Sequence, residues 1–331
     1  MMLEVVVNGE IGFDEAKNLI GQLMLSDEIE AAAMLAALEA RGYEAEVLAG
    51  FADYLRENMV KVDAKAELDT CGTGGDGTST INVSTAVSIL LSCIMKVAKH
   101  GNRAVTSSSG SSDVLERLGV PVPPPEKAAE MLEAVNYVFL HAPLYHPVLT
   151  KIMPVRRRLG IKTIFNLLGP LCNPALPERQ IIGCRGEVVQ MMGEAMQILG
   201  IEGLAVGSGV DEVSPEGYTL VSEVNRQREV EVYTISPSEF GVDEFRIARV
   251  VCDSSEESAA RIEAVFRGKK GYDRHFILMN ASAALYAAGR VSDFREGYQV
   301  AENIIDEGFA VKKLEELRRY GCRGYGKAEL H

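Results

Sequence analysis

DTCGTGGDGTSTINVST, residues 69–85, decides how this chain is read. Gly72, Gly74, Gly75 and Gly77 crowd into one short stretch, leaving the backbone free to turn tightly and to take positive φ. Thr78, Ser79, Thr80, Asn82, Ser84 and Thr85 follow with small hydroxyl and amide side chains, and an apolar, helix-length segment runs from Val87 to Val97. Exposed backbone N–H groups, hydroxyl donors and the positive end of a helix together make a cradle for an anion, most naturally phosphate. A plain glycine-rich turn between a strand and a helix is the alternative, and the density of hydroxyls argues against it.

The same glycines satisfy G-x-G-x-x-G at Gly72, Gly74 and Gly77. A dinucleotide fingerprint needs the helix to open inside the glycines and an acid about 20 residues later for the ribose. Here Thr78 to Val83 reads as extended, and the region from Leu91 to His100 carries Lys96 and Lys99 but no carboxylate. The dinucleotide reading is rejected.

With 331 residues there is room for roughly two domains. A composition of 47% hydrophobic and 24% charged residues is that of a soluble globular chain. No apolar run reaches membrane-spanning length, and the opening MMLEVVVNGEIGF lacks the pattern of a secretory signal, so a cytoplasmic protein with no membrane partner is expected. The net charge of −13 disfavours nucleic-acid binding. It also means that an anionic ligand needs local cations, either basic side chains or a divalent metal. Cys71, Cys93, Cys172, Cys184, Cys252 and Cys322 are scattered without a C-x-x-C pair, which argues against a zinc or disulfide framework. Cys71, beside the glycines, reads as a small buried residue.

Residues 1–65 read as helices: Phe13 to Met24, a second beginning with Ser26 as N-cap and ending at Gly42, and a third from Glu44 to Met59. From residue 66 onward, short apolar runs alternate with helical periods, as in an α/β domain with a central sheet flanked by helices. Predicted strands are Glu67–Thr70, Lys96–Lys99, Tyr137–His141, Gln180–Cys184, Gly203–Val206, Thr219–Val224 and Glu229–Ile235. Pro125 or Glu126 starts a helix after the stiff VPVPPPEK connector, and the tail from Gly321 is expected to fray.

Further stretches carry chemistry. KHGNR, Lys99 to Arg103, follows a predicted strand at the end where open α/β sheets collect ligands. TSSSGSSDVLERLG, 106–119, is a second hydroxyl-rich loop running into a helix. In PVRRRLGIKTIFNLLGPLCNPA, one of Arg156, Arg157 and Arg158 could fork onto a carboxylate, and Asn166, Gly169, Pro170, Asn173 and Pro174 read as a rigid, irregular loop. In GSGVDEVSPEG, the adjacent Asp211 and Glu212 could turn toward one hard cation such as Mg²⁺.

GTGGDGTSTINVST, KHGNR, SSSGSSDVLERLG, PVRRRLGIKTIFNLLGPLCNPA and VDEVS, in that order, resemble the anthranilate phosphoribosyltransferases over nearly the whole chain. The resemblance implies a nucleoside phosphorylase/phosphoribosyltransferase-like α/β fold: a helical domain over 1–65 that dimerises, with a contribution from about 155–180, and a catalytic domain over 66–331. It implies a homodimeric, Mg²⁺-dependent transferase of tryptophan biosynthesis that joins 5-phosphoribosyl 1-diphosphate (PRPP) to anthranilate. By motif position Gly72, Gly75, Asp76, Thr80, Asn82, Val83, Ser84, Thr85, Lys99, Ser107 and Ser111 would hold PRPP. Ser84, Asp211 and Glu212 would hold two Mg²⁺ ions. Gly72, Asn102 and Arg156 would contact anthranilate, with His100 and His146 lining its approach and Gly169 and Pro170 shaping the pocket. Ser112, where alanine is common, His141, where phenylalanine is frequent, and Ala205–Gly207, where a histidine often stands, depart from the pattern.

An arylamine is neutral at pH 7 and carries its own lone pair, so no catalytic base or nucleophile is expected; positioning and leaving-group stabilisation would carry the reaction. A pyrimidine-nucleoside phosphorylase of similar fold would leave Asp211 and Glu212 without a purpose. A non-catalytic nucleic-acid binder is opposed by the charge.

Overall fold

The structure, a computed structural model, describes residues 2–75, 77–103 and 110–324. Before the first strand come α1 (Met2–Asn8), α2 (Phe13–Leu23), α3 (Glu28–Arg41) and α4 (Ala45–Glu57). In α2, Ala16, Leu19, Ile20 and Leu23 are buried, as their helical spacing requires. The cap of α3 is Asp27 rather than the expected Ser26. The Asp27 carboxylate accepts from the N–H groups of Ile29 and Glu30 at 2.9 Å each, whereas the Ser26 hydroxyl donates back to the Gln22 carbonyl. A carboxylate also complements the positive end of the helix, which a hydroxyl does not. α1 went unanticipated from its sequence.

Seven strands form one mixed sheet in the order β3-β2-β1-β4-β5-β6-β7. They are β1 (Leu68–Asp69), β2 (Val97–Gly101), β3 (Tyr137–His141), β4 (Arg179–Gly183), β5 (Glu202–Gly207), β6 (Thr219–Val224) and β7 (Glu231–Ile235). β1 to β5 run parallel, and β6 and β7 add as an antiparallel edge. From β1 the chain steps outward through β2 to β3, then crosses back to lay β4 on the other side of β1. The strand order therefore reverses at β1. Open sheets collect ligands at the carboxyl ends of the strands on either side of such a reversal. Here those ends are Asp69 and Gly183, and their ladder is prolonged by a bridge between Gly72 and Gly183.

The remaining helices are α5 (Val83–Leu91), α6 (Ser111–Leu118), α7 (Pro125–Val135), α8 (Ala142–Tyr145), α9 (Ile152–Leu159), α10 (Phe165–Leu171), α11 (Val189–Ile198), α12 (Ser255–Phe266), α13 (Tyr272–Ala287), α14 (Phe294–Asp306) and α15 (Phe309–Gly324). α15 carries regular backbone past Gly321, where fraying was expected; residues 325–331 lie outside the described residues. Among the described residues no helix is long and apolar enough to cross a membrane, and no disulfide forms.

One apolar cluster packs α5 and α13 against the sheet through Leu90, Val97, Tyr137, Phe276 and Leu278. A second joins Leu19, Leu35 and Phe51 of the N-terminal helices to Val155 of α9, Phe165 and Leu168 of α10, and Met192 of α11. The expected irregular loop at 166–174 is thus partly a helix, with Asn166, Gly169 and Pro170 inside α10. Phe165, Leu168 and Leu171 recur at helical spacing and are buried, which outweighs the one backbone bond that Pro170 forgoes at the end of so short a helix. Gly50 sets the closeness of α2 and α4: a Cβ there would lie 2.4 Å from the Phe13 carbonyl and 2.8 Å from the Ala16 Cβ. Gly50→Ala should cost about 1–3 kcal/mol, read as a lower denaturant midpoint with an unchanged slope.

Candidate active site

Beyond β1 the chain enters the glycine turn, where Gly74, Gly75 and Gly77 take φ of 65°, 78° and 88°. These left-handed values suit glycine. The next residues are extended, as their sequence suggested: the Ile81 N–H donates to Val250 O at 2.8 Å and the Cys252 N–H to Ser79 O at 2.7 Å. α5 opens only afterwards, at Val83, capped by the Asn82 side chain, which accepts from the Thr85 N–H at 3.1 Å. Lys99, on β2 and only 1% exposed, donates from Nζ to Thr70 O and to Ser84 Oγ, both at 3.1 Å. Burial pushes its ammonium pKa down, and Asp69 opposes that shift. A buried lysine amino group therefore stands at the root of the glycine turn and at the first turn of α5.

The acidic pair reaches the same place from β5. A Cβ on Gly183 would fall 1.8 Å from Asp211 O, and one on Gly207 would fall 1.6 Å from Cys184 O. Only glycine at 183 lets the loop after β5 fold back over the end of β4, and only glycine at 207 lets the end of β5 lie so close to the chain leaving β4. Asp211 Oδ2 then accepts from the Gly74 N–H at 2.7 Å, and Glu212 Oε1 accepts from Thr80 Oγ1 at 2.9 Å. Asn280 of α13 grips the loop behind them, accepting from the Val213 N–H at 2.9 Å and donating to Val213 O at 3.2 Å. Thr70, Gly72, Ser84, Asp211, Glu212 and Asn280 line one cavity of about 60 Å³, with Val83 in its wall. Among the described residues no three His, Cys, Asp or Glu side chains converge as a metal cage. Two carboxylates and a hydroxyl around one hollow suit instead a hard cation that keeps water and ligand oxygens for its other positions.

A second group adjoins this one. His100, the residue after Lys99, bonds through Nδ1 to Gly169 O at 3.0 Å, and its ring centre lies 5.2 Å from that of His146. Burial, together with the neighbouring His146 ring, lowers the His100 pKa to about 3; burial lowers that of His146 to about 4. Pro170 O accepts from Gln180 Nε2 at 3.0 Å. Arg156 lies over the Phe165 ring at 5.2 Å and donates to Asn166 Oδ1 at 3.3 Å. Among the described residues it pairs with no carboxylate, whereas Arg158 pairs with Glu28. Lys162 closes the arrangement by donating to Gly75 O at 2.6 Å.

Asn102 is exposed and accepts from the Arg103 N–H at 2.7 Å, while Arg156 donates to Asn166 instead. Ser111 opens α6 after Gly110. Asp76 and Ser107 lie outside the described residues. Two of the noted departures meet: Ser112 Oγ and His141 Nδ1 are hydrogen-bonded at 3.0 Å. Sequence reading missed Asp69, Lys162, Gln180, Gly183 and Asn280. Of these only Asp69 left a trace, as a carboxylate inside a predicted strand just before the glycines.

Residues 64–311 match the glycosyl transferase family, a/b domain. The anthranilate phosphoribosyltransferase of Pyrococcus abyssi is 50% identical over 322 residues, 96% of this chain and 98% of the relative. The chain belongs to the anthranilate phosphoribosyltransferase family. The family's enzyme from Methanococcus aeolicus is 47% identical over 326 residues, 97% of this chain and all of the relative. The crystal structure of the Thermus thermophilus family member superposes with a TM-score of 0.89 at 34% identity, covering 96% of this chain and 98% of that one. The Saccharomyces cerevisiae family member, solved in complex with PRPP and Mg, superposes with a TM-score of 0.87 at 27% identity, covering 96% of each chain.

Because both ring pKa values lie far below the ordinary histidine range, His100 and His146 should stay neutral over the working pH. In an NMR titration neither imidazole should change protonation between about pH 8 and pH 5. A ring titrating near its ordinary pKa would contradict the burial described here.

Proposed function

We propose that the chain transfers the 5-phosphoribosyl group of PRPP to the amine of anthranilate, giving N-(5-phosphoribosyl)anthranilate and pyrophosphate, a step of tryptophan biosynthesis. The observation that carries this reading is the convergence of the glycine turn, Ser84 and the Asp211–Glu212 pair on one cavity at the strand reversal, with buried Lys99 bonded to Ser84. Gly72, Gly75, Asp76, Thr80, Asn82, Val83, Ser84, Thr85, Lys99, Ser107 and Ser111 are the PRPP contacts. Glycine N–H groups, the start of α5 and the Lys99 ammonium offer donors to phosphate oxygens. Gly72, Asn102 and Arg156 receive anthranilate, beside His100, His146, Gly169 and Pro170. Arg156, lacking a carboxylate partner among the described residues, keeps its fork for the carboxylate of the substrate.

Ser84, Asp211 and Glu212 are the residues that would hold Mg²⁺, two ions per subunit, and their oxygen set fits a hard cation. When bound, the metal neutralises charge on the leaving diphosphate. The protein's own work is positioning: the arylamine attacks with its own lone pair, and His100 and His146, with pKa values lowered to about 3 and about 4, are too weakly basic to serve as strong general bases. The glycine-turn N–H groups and Lys99 are placed to stabilise negative charge as the C1–O bond lengthens. The division into a dimerising helical domain over 1–65, with help from about 155–180, and a catalytic domain over 66–331 belongs to the same proposal, as do a homodimeric state and a cytoplasmic location.

The direct test follows anthranilate fluorescence with PRPP, with and without Mg²⁺; consumption that needs both the donor and the metal is expected. Asp211→Asn combined with Glu212→Gln should lower turnover by about a hundredfold or more at millimolar Mg²⁺, a loss of roughly 3 kcal/mol in transition-state stabilisation. Near-normal turnover in a folded double variant would remove the pair from the metal role. Arg156→Ala should raise the KM for anthranilate by about tenfold or more and that for PRPP far less. An equal rise in both would count against a carboxylate contact.

A further inference from the structure

We propose that Asp69 is a positioning residue: its carboxylate is the joint that holds the phosphate half and the aromatic-acceptor half of the site at one fixed separation. The inference rests on the proposed reaction and adds a residue to it. Asp69 is fully buried at the end of β1, just ahead of the glycine turn. Its Oδ1 accepts from the His100 N–H at 3.2 Å. Its Oδ2 accepts from Asn173 Nδ2 at 2.7 Å and from Gln180 Nε2 at 3.3 Å. Through these donors the carboxylate reaches both halves of the site.

Toward the phosphate half, the His100 N–H that the carboxylate accepts belongs to the peptide joining Lys99 to His100, and Lys99 Nζ in turn donates to Thr70 O and Ser84 Oγ, both at 3.1 Å. Toward the acceptor half, Gln180 also donates to Pro170 O at 3.0 Å, and the His100 ring holds Gly169 O at 3.0 Å. Asn173 fixes the chain just after α10, donating to Ala98 O at 2.8 Å and accepting from the Ala175 N–H at 2.8 Å. Both branches meet at one carboxylate. No apolar residue could replace it, because three buried donors would lose their acceptor.

An ionised carboxylate is acceptor-only and can serve all three donors, whereas an amide of the same shape has one accepting oxygen and a donating NH₂. Asp69→Asn therefore sets donor against donor on one side of the joint. Charge matters as well. Lys99 and His100 on β2, Tyr137 on β3 and Cys71 beyond β1 surround the group. Of these Lys99 is the cation, and His100 is held neutral by burial. Burial raises the Asp69 pKa to about 6, with Lys99 and the N–H donors restraining the rise. Activity that needs the carboxylate should therefore fall as the pH drops through that value.

The test compares the wild-type enzyme with Asp69→Asn and Gln180→Leu, measuring kcat and both KM values from about pH 5 to 9, and hydrogen–deuterium exchange of residues 97–103 and 165–175. Asp69→Asn should lower kcat/KM about tenfold to a hundredfold for both substrates and abolish the acid limb near pH 6. Gln180→Leu, which cuts only the branch to Pro170, should raise the KM for anthranilate and leave that for PRPP unchanged. Exchange, which does not depend on turnover, should quicken in both segments for Asp69→Asn and only in 165–175 for Gln180→Leu. Wild-type constants in Asp69→Asn, equal rises of both KM values in Gln180→Leu, or unchanged exchange would each overturn the proposal. Should Asp69→Asn not fold, the split in Gln180→Leu decides. A wild-type enzyme inert toward PRPP and anthranilate would overturn the proposed reaction instead, and exchange alone would then judge the joint.

Discussion

The contact on which the rest depends is the meeting of Gly72, Gly183 and the backbone of Asp211 where β1 and β4 end. Gly72 and Gly183 continue the ladder of the sheet, and Asp211 O lies so near Gly183 that a Cβ there would be 1.8 Å away. That approach brings the acidic loop onto the glycine turn, and the hydrogen bond from the Gly74 N–H to the Asp211 carboxylate follows from it. A parallel sheet whose order reverses at β1 opens a crevice at this spot. The glycines allow that crevice to be filled by backbone rather than by side chains.

Around this contact the electrostatics are local. The chain carries a net charge of −13, yet Lys99, the N–H groups of the glycine turn and the start of α5 all face the same end of the sheet. Helix ends and oriented amides supply partial positive charge that a count of side chains omits. Lys99 stays at its post because Thr70 O and Ser84 Oγ hold its ammonium. The acidic pair, resting on the same turn through the Gly74 N–H and the Thr80 hydroxyl, has the oxygen set that suits a hard cation. An acidic surface and an anion-accepting crevice are thus compatible, since most of the acidic side chains lie elsewhere on the chain.

The order of elements was largely legible in the sequence, because helix and strand periods are local signals. Tyr137–His141 and Thr219–Val224 occupy the predicted spans, and the hydroxyl-rich loop at 106–119 does run into a helix, α6. α10 was not legible: Gly169 and Pro170 are breakers, and only burial of Phe165 and Leu168 against the N-terminal helices makes that stretch helical. Within the site, the glycine turn, Lys99 and the acidic pair were visible as dense or unusual local chemistry. Gly183 and Asn280 were not, being one glycine and one asparagine in ordinary apolar elements whose meaning comes from what crosses them. Ser112 and His141 stood out separately as departures, and their hydrogen bond appears only when α6 and β3 are packed together.

By itself the sequence determined where the backbone could take positive φ, where α5 could start, and which runs could be buried strands, since each depends on a residue and its near neighbours. Tertiary structure alone decided that Asp69 would accept from Asn173 and Gln180, partners 104 and 111 residues away. It also decided that Asp211 would come to rest on Gly74, 137 residues away. The physical reason is that hydrogen-bond geometry and burial are properties of the packed sheet, and no spacing along the chain encodes them.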